Sequence, residues 1–319
     1  MNILITGGAG FIGSQIGYGL QELGHKITLL DNLSYGHRDN LNHKGIQIGK
    51  FIEGDVRDRT IGNLLDNVDA VIHMAGIAPL PDCQIDPQSA IENNVLGTAN
   101  MLDLCRKAGV STFIFASTSA IYENCSETPF REDNVEKEPD LIYAVTKRQC
   151  EIICQAYSTI YGMDTISLRF FNVYGPHQDF RRKHPPLMGY ISKCLLDNTQ
   201  PTFYSSGDQK RDYLSGNAFN VATQESYSVR EIYSEFCKQF GKTIEPRFEN
   251  ANAFWDKYPE MFNGPFPMKK ERVEKEGNKF SLGSSEKCER VLGWKPTTSL
   301  SEGIKSVVQY CKEISESEK

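Results

Sequence analysis

Residues Ile3 to Gly13, reading Ile-Leu-Ile-Thr-Gly-Gly-Ala-Gly-Phe-Ile-Gly, constrain the fold more than any other stretch of the chain. An apolar run of strand length ends at Thr6, glycines follow at every third position (Gly7, Gly10, Gly13), and a helical apolar pattern begins at Phe11. This is the strand, phosphate loop and helix opening of a dinucleotide site. Glycine permits positive φ in the tight turn, lets the backbone approach a pyrophosphate, and lets the helix pack close to its strand. The backbone N–H groups of Phe11, Ile12 and Gly13, at the positive end of the helix dipole, then face the phosphates. Three glycines alone also fit a turn that binds nothing, so the context decides.

That context is complete. Gly24 ends the first helix, and Ile27-Thr28-Leu29-Leu30 reads as a second buried strand ending in Asp31. An acid at the tip of strand two is placed to accept hydrogen bonds from an adenosine ribose. Its charge would repel the extra phosphate of NADP, which makes NAD the expected cofactor.

Through about residue 175, short apolar runs alternate with helical patterns, the sign of βαβ units and a parallel sheet. Further strands are predicted at Gln47 to Glu53, Ala70 to Met74, Thr112 to Ser117 and Thr165 to Phe170. Helices are predicted at Thr60 to Leu65, Asp86 to Ala108 and Asp140 to Tyr161. Ligands of such a sheet gather at the carboxyl ends of its strands. The rule selects Asp55 and Val56, able to hold an adenine, although a helix-capping Asp explains Asp55 equally well. It also selects Ala75 and Gly76, small enough to pass beside the cofactor. Asn94 lies near the same rim and is expected to bond backbone rather than to react. Ser117, Thr118 and Ser119 end strand five, and Tyr143 and Lys147 stand four apart on one helix face. A solvated face explains that pair if taken alone, but its place beside the hydroxyl cluster at the crevice favours chemistry.

The net charge of -6 and pI near 5.6 argue against nucleic acid as the main partner. No apolar run is long enough for a membrane span, and the chain enters a strand within two residues, so the cytoplasm is expected. Nine cysteines without paired spacing suggest neither a disulfide framework nor a metal site; Cys150 and Cys154 read as buried filler.

Together these motifs resemble the extended short-chain dehydrogenase/reductase family, the NAD-dependent sugar-nucleotide epimerases and dehydratases. The matching residues are Thr6 to Gly13, Asp31-Asn32-Leu33, Gly54-Asp55-Val56, His73 to Gly76, Asn94 to Thr98, Ser117-Thr118-Ser119, Tyr143-x-x-x-Lys147 and Arg169 to Pro176. Arg211-Asp212-Tyr213 and Leu292 to Pro296 follow in order. The resemblance implies a Rossmann-type doubly wound α/β sheet over 1–175. It also implies a smaller α/β substrate-binding subdomain over 176–319, with segments returning to the sheet.

It further implies catalytic roles for Thr118, Tyr143 and Lys147, with Asn32 beside Asp31 on the cofactor. Tyr143 would be the acid/base, while Lys147 would hold the nicotinamide ribose and lower the phenol's pKa. Leu80, Thr118, Ser119, Asn172, Phe203, Arg211 and Arg272 would meet a nucleotide-diphospho-sugar, with UDP favoured. Asn172 and Arg211 would take its diphosphate and Phe203 its base or ribose. The prolines around Leu80 predict a stiff loop at the sugar pocket.

Family dehydratases commonly carry Asp-Glu directly after the catalytic Thr, and sugar-acid decarboxylases usually keep the Glu; here the pair is Ser119-Ala120. Without those carboxylates, epimerisation at C4 through a transient ketone is the leading expectation. A 4,6-dehydratase or decarboxylase is the alternative, and a non-catalytic dinucleotide-binding regulator is a further one.

Two departures stand out. Relatives carry an acidic strand–helix segment after Arg-Asp-Tyr, whereas here Leu214 runs directly into Ser215; a genuine deletion would leave these neighbours at the 3.8 Å of a trans pair. Lys275-Glu-Gly-Asn278 replaces a common Arg-x-Gly-Asp, so the diphosphate clamp is expected to be weaker or to be carried by Arg272. The aromatic insertion Phe254 to Pro259 is expected to pack, and the tail from Glu313 to fray. A homodimer, through the helix before strand five and the Tyr143 helix, is expected by analogy.

Overall fold

The computed structural model describes residues 1–319 except 134, 136, 183–184, 215–219, 264, 278 and 318–319. The Leu214–Ser215 join and Asn278 therefore lie outside the described residues. The chain divides into two compact units, one of residues 1–124 and 137–170, the other of residues 125–136 and 171–319.

The first unit contains the strands β1 (Asn2–Thr6), β2 (Lys26–Asp31), β3 (Lys50–Glu53), β4 (Ala70–His73), β5 (Thr112–Thr118) and β6 (Asp164–Phe170). They pair in parallel in the order β3-β2-β1-β4-β5-β6, the doubly wound order with its switch point between β1 and β4. Alternation along each strand buries both faces. Leu4, Leu30, Val71 and Phe113 join one core cluster, while Ile3, Ile5, Ile27, Leu29 and Ile72 join another. That is what a parallel sheet with helices on both sides requires.

The helices are α1 (Phe11–Glu22), α2 (Leu80–Ile85), α3 (Pro87–Ile91), α4 (Gly97–Ala108) and α5 (Ile142–Tyr161), with a π-helical turn at Glu92–Leu96 between α3 and α4. Cys150 and Cys154 lie in the core beneath α5.

Three expectations differ from the structure. The third strand begins at Lys50, because Ile46–Gln47 pairs with Asn42–His43 in a small hairpin. Gly49, at φ +50, then turns the chain where a Cβ would stand 2.3 Å from the Ile27 carbonyl oxygen. The proline-rich segment around Leu80 is a helix start rather than a loop: Pro79, with its φ of -63, caps α2 and Pro81 occupies its first turn, where no N–H is needed. The tail is helical past Glu313: helix α11 (Leu300–Ser317) continues to Ser317, and residues 318–319 lie outside the described residues.

The second unit has shorter elements. β7 (Asn172–Val173), β9 (Lys210–Leu214) and β10 (Ser226–Ser228) form one sheet, and β8 (Thr202–Tyr204) pairs with β11 (Arg247–Glu249). Its core lies among α6 (Leu187–Leu196), α7 (Val229–Phe240) and α11, filled by Ile191, Phe236, Ile304 and Val307. Ser228 and Glu231 close a capping box at the start of α7. Between α7 and α11 lie α8 (Asn252–Trp255), α9 (Lys270–Gly277) and α10 (Glu286–Leu292).

Candidate active site

The glycines at the end of β1 fit a phosphate cradle. Gly7 has φ +66, and a Cβ there would stand 2.7 Å from the Ala75 nitrogen; at Gly13 a Cβ would stand 2.2 Å from the Gly7 carbonyl oxygen. The turn and the packing of α1 on it thus exclude any side chain at either position. Gly10 provides the N-cap without a side-chain hydrogen bond, so the N–H groups of the first turn are left for an anion.

Asp31, at the carboxyl end of β2, is tied to this loop. Its Oδ2 accepts from Ala9 N at 3.0 Å and its Oδ1 from Leu33 N at 2.8 Å. Burial raises its pKa, while backbone donors from Leu33, Ala9 and Gly10 pull the other way. Asn32 donates to Asp55 Oδ2 at 2.9 Å, and Arg57 donates to both Asp55 oxygens at 2.9 and 2.8 Å. The Arg57 guanidinium holds the Asp55 carboxyl well below the usual range. Asp55 thereby organises its own loop, and Val56 is buried in the core, where a Cβ on Gly97 would meet its Cγ2 at 2.9 Å.

After β4, Gly76 is where the Asn94 and Lys147 side chains converge. A Cβ there would stand 2.8 Å from Asn94 Oδ1 and 3.4 Å from Lys147 Nζ. Asn94 spends its amide on the scaffold: Oδ1 accepts from Ile77 N at 2.7 Å, and Nδ2 donates to Ile77 O at 3.1 Å and Thr146 Oγ1 at 3.0 Å. It pins the Ala75–Gly76 loop to α5 from a π-helical turn, a feature frequent at functional sites.

His73, quoted in the sequence only as part of a motif, is fully buried between Thr6 Oγ1 at 2.7 Å and Thr98 Oγ1 at 3.1 Å. Burial lowers its pKa to about 3, so it stays neutral and cross-links β1, β4 and α4. Nothing in a single sequence distinguishes such a histidine from a reactive one.

Tyr143 and Lys147 lie one turn apart on α5, and β5 delivers Thr118 to them. The Thr118 hydroxyl, near enough to the Tyr143 phenol to lower its pKa, accepts from Ala120 N at 3.1 Å. Lys147 is buried, donates to Ala116 O at 2.9 Å, and lies 4.9 Å from the centre of the Phe115 ring. Burial lowers the Lys147 pKa. It pushes the Tyr143 phenol up to about 12, with the Thr118 hydroxyl opposing and Cys83 adding to the rise. The chain's own groups therefore do not give the lowered phenol pKa that Lys147 was expected to produce. Ser117 turns away from this rim and donates to Glu151 Oε1 at 2.6 Å. Leu80 and Ser119 are half-buried in the same unit.

In the second unit, Asn172 donates to Asp212 O at 2.9 Å, and Arg211, on β9, is half-buried beside it. Asp212 is fully buried and accepts from Thr223 N and Oγ1, both at 2.8 Å. Arg272 lies half-buried on α9. Phe203 corrects an expectation. It is only 3% exposed and packs edge-on against Tyr233 at 5.3 Å, so its ring belongs to the core. Strand alternation turns the next residue, Tyr204, to the other face. There it meets Phe254 at 5.5 Å and the Lys257 ammonium at 4.9 Å. Trp255 and Tyr258 of the aromatic insertion are buried.

The nine cysteines are free, and among the described residues no group of His, Cys, Asp and Glu is arranged to hold a metal. Among them, too, no helix is long and apolar enough to cross a membrane.

The chain is 30% identical to a putative UDP-glucose 4-epimerase of Methanocaldococcus jannaschii, over 97% of this chain and 98% of the relative. That alignment runs over 335 positions, more than the 319 residues present, so the relative carries residues with no counterpart here. Among solved structures, UDP-glucose 4-epimerase from Thermotoga maritima with UDP-glucose superposes with a TM-score of 0.84 at 28% identity, covering 98% of this chain and 99% of that one. The Thermus thermophilus UDP-glucose 4-epimerase complex with NAD gives 0.78 at 29% identity, with the same coverage. The model of the NAD dependent epimerase/dehydratase family matches residues 3–217, which span the phosphate loop, Thr118, Tyr143 and Lys147. A doubly wound sheet, this cluster at its rim and that match across most of the chain agree: the chain belongs to the NAD dependent epimerase/dehydratase family.

Proposed function

We propose that the chain epimerises a nucleotide-diphospho-sugar, with a UDP-hexose favoured, at C4 using bound NAD. The observation that carries the reading is the Thr118–Tyr143–Lys147 cluster next to Gly76, followed by Ser119-Ala120 where elimination would need carboxylates. Gly7, Gly10, Gly13 and the first turn of α1 would hold the pyrophosphate, and Asp31 with Asn32 the adenosine ribose. NAD, when bound, supplies the means to remove hydride from the sugar carbon and return it to the opposite face.

The chain's residues do the rest. Tyr143 takes the proton of the sugar hydroxyl and gives it back, and Thr118 donates to the same oxygen as it becomes a carbonyl. Lys147 binds the nicotinamide ribose and sets the local positive potential. In the second unit, Asn172, Arg211 and Arg272 are assigned to the diphosphate. The base-packing role passes from the core residue Phe203 to Tyr204.

A homodimer is part of this reading. Ile91 at the end of α3, Leu96 at the end of the π-helical turn before α4, and Ile152, Ile160 and Tyr161 on α5 are 46, 49, 54, 68 and 52% exposed, an apolar set on α5 and on the segment that leads into α4.

Thermal melts with NAD and a panel of UDP-glucose, UDP-glucuronate, UDP-N-acetylglucosamine and their 4-epimers identify the ligand by stabilisation. Incubation with the stabilising sugar should yield its 4-epimer by NMR. Loss of water or carbon dioxide from the sugar would overturn the epimerase reading, and no stabilisation by any sugar would favour a regulator.

A further inference from the structure

Below the hydroxyl cluster, the first unit contains a buried charge network that the mechanism above does not use. Glu151, 7% exposed, lies on α5 four residues beyond Lys147 and eight beyond Tyr143. Its Oε1 accepts from Ser117 Oγ at 2.6 Å and from Arg169 Nε at 2.9 Å; its Oε2 accepts from Arg169 Nη2 at 2.9 Å and from Arg148 Nη1 at 3.3 Å. Arg169, on β6, turns its remaining edge to Tyr122, donating from Nη1 to the phenol oxygen at 2.7 Å and lying 5.2 Å from the ring centre. Tyr122 is fully buried.

Ser117 and Tyr122 bracket Thr118. One immediately precedes it, and the other ends the 3₁₀ turn Ser119–Tyr122 that follows it. Both are tied, directly or through one guanidinium, to a single carboxylate on the helix that carries Tyr143 and Lys147. We propose that the Glu151–Arg169 pair is a positioning device, which clamps the Thr118 turn to α5 and so fixes the separation of the Thr118 and Tyr143 hydroxyls.

A buried ion pair is weak evidence for stability, since apolar residues of the same volume often serve as well. Its use here is geometric. The bidentate guanidinium–carboxylate contact admits one arrangement, and the two hydroxyls must both reach one substrate oxygen within hydrogen-bond distance. Misplacement by about 1 Å costs on the order of 100-fold in rate.

The inference rests on the epimerase reading of Thr118 and Tyr143, and the experiment separates the two. Glu151→Gln, Arg169→Lys and Tyr122→Phe are compared with the parent in NAD-loaded protein by kcat, KM and the titration of Tyr143, the last followed as phenolate absorbance against a Tyr143→Phe control. Glu151→Gln should lower kcat by roughly 10- to 100-fold with KM and NAD affinity within about threefold. Arg169→Lys retains the charge without the fork and should not restore the rate.

Because the Thr118 hydroxyl lowers the Tyr143 pKa, loosening the turn should move the phenol's titration to higher pH in every variant. A purely structural pair would move melting temperature and leave both kcat and the titration unchanged. That outcome, in variants that fold, overturns the positioning role while the epimerase reading stands. If Glu151→Gln does not fold, Tyr122→Phe, which removes one hydroxyl, decides by the same titration shift. A parent that binds NAD but turns over no sugar overturns the functional reading instead, and the absorbance titration still tests the clamp.

Discussion

Replacing Lys147 by methionine removes one of the two positive charges that the proposed mechanism places beside Tyr143, and its effect can be worked from the structure. Burial and neighbouring groups push the phenol up to about 12. A base with that pKa would be almost wholly protonated near neutral pH. A unit positive charge at about 5 Å, the spacing of neighbours one helical turn apart, contributes roughly 3 kcal/mol at an effective dielectric constant near 20. At about 1.4 kcal/mol per unit, each charge lowers the pKa by about 2 units. Lys147 is already in place in that environment, so the lowering in the NAD-loaded protein comes from an oxidised nicotinamide, and removing the Lys147 charge moves the phenol back up by about the same amount.

The activity of the NAD-loaded parent should accordingly rise with pH as the phenolate forms. It should fall again as Lys147 loses its proton below the usual lysine value, because burial lowers the Lys147 pKa. In Lys147→Met the rising limb should move up by about 2 pH units and the falling limb should vanish. The assay is the initial rate of 4-epimer formation between pH 6 and about 10.5 at saturating NAD and sugar, with phenolate absorbance as a reading independent of turnover. An unmoved rising limb, or one that moves to lower pH, would refute the assignment of Lys147 as the charge that tunes Tyr143.

Further predictions concern the cofactor and the dimer. Gly13→Ala puts a Cβ 2.2 Å from the Gly7 carbonyl oxygen and 2.9 Å from its carbon. Because both are backbone atoms, the variant should lose about 1–3 kcal/mol of stability and its stabilisation by NAD; a melt with an undiminished NAD shift would contradict the cradle. Asp31→Ser should narrow the preference for NAD over NADP by about tenfold or more, read by calorimetric titration of both cofactors, and an unchanged ratio would remove Asp31 from the ribose site. Ile152→Glu with Ile160→Glu should shift sedimentation from dimer to monomer without abolishing NAD binding. A monomeric parent, or a double variant that stays dimeric, would contradict that interface.

How much of this was legible in the sequence varied with the reach of the signals. The β1 loop, α1 and β2 could be read to within a residue or two, because strand and helix periods, a C-capping glycine and a terminal Asp31 all lie close together in the chain. Asp212 shows the opposite case. Its partners Thr223, Gln224 and Gly283 are far along the chain, and two-residue strands such as Asn172–Val173 show no period at all.

Phe203, which the resemblance puts on the base or ribose, lies in the core, and a three-residue strand does not by itself say which of its sides is core. The Pro79–Pro81 helix was read as a loop because proline marks helix starts and turns alike. Glu151 gave no signal: a carboxylate on an amphipathic helix is usually solvated, and only the fold brings it to Arg169, Ser117 and, through the guanidinium, Tyr122.

The central claim is that the sugar carbon loses and regains its own hydrogen at C4, with Tyr143 handling only the hydroxyl proton. Proton NMR of the NAD-loaded protein turning over its nucleotide sugar in deuterium oxide tests this most directly. The account predicts interconversion of the C4 epimers with protium kept at C4 and C5 and no lasting accumulation of NADH. Deuterium at C4 or C5, or a product lacking the oxygen at C6, would contradict it.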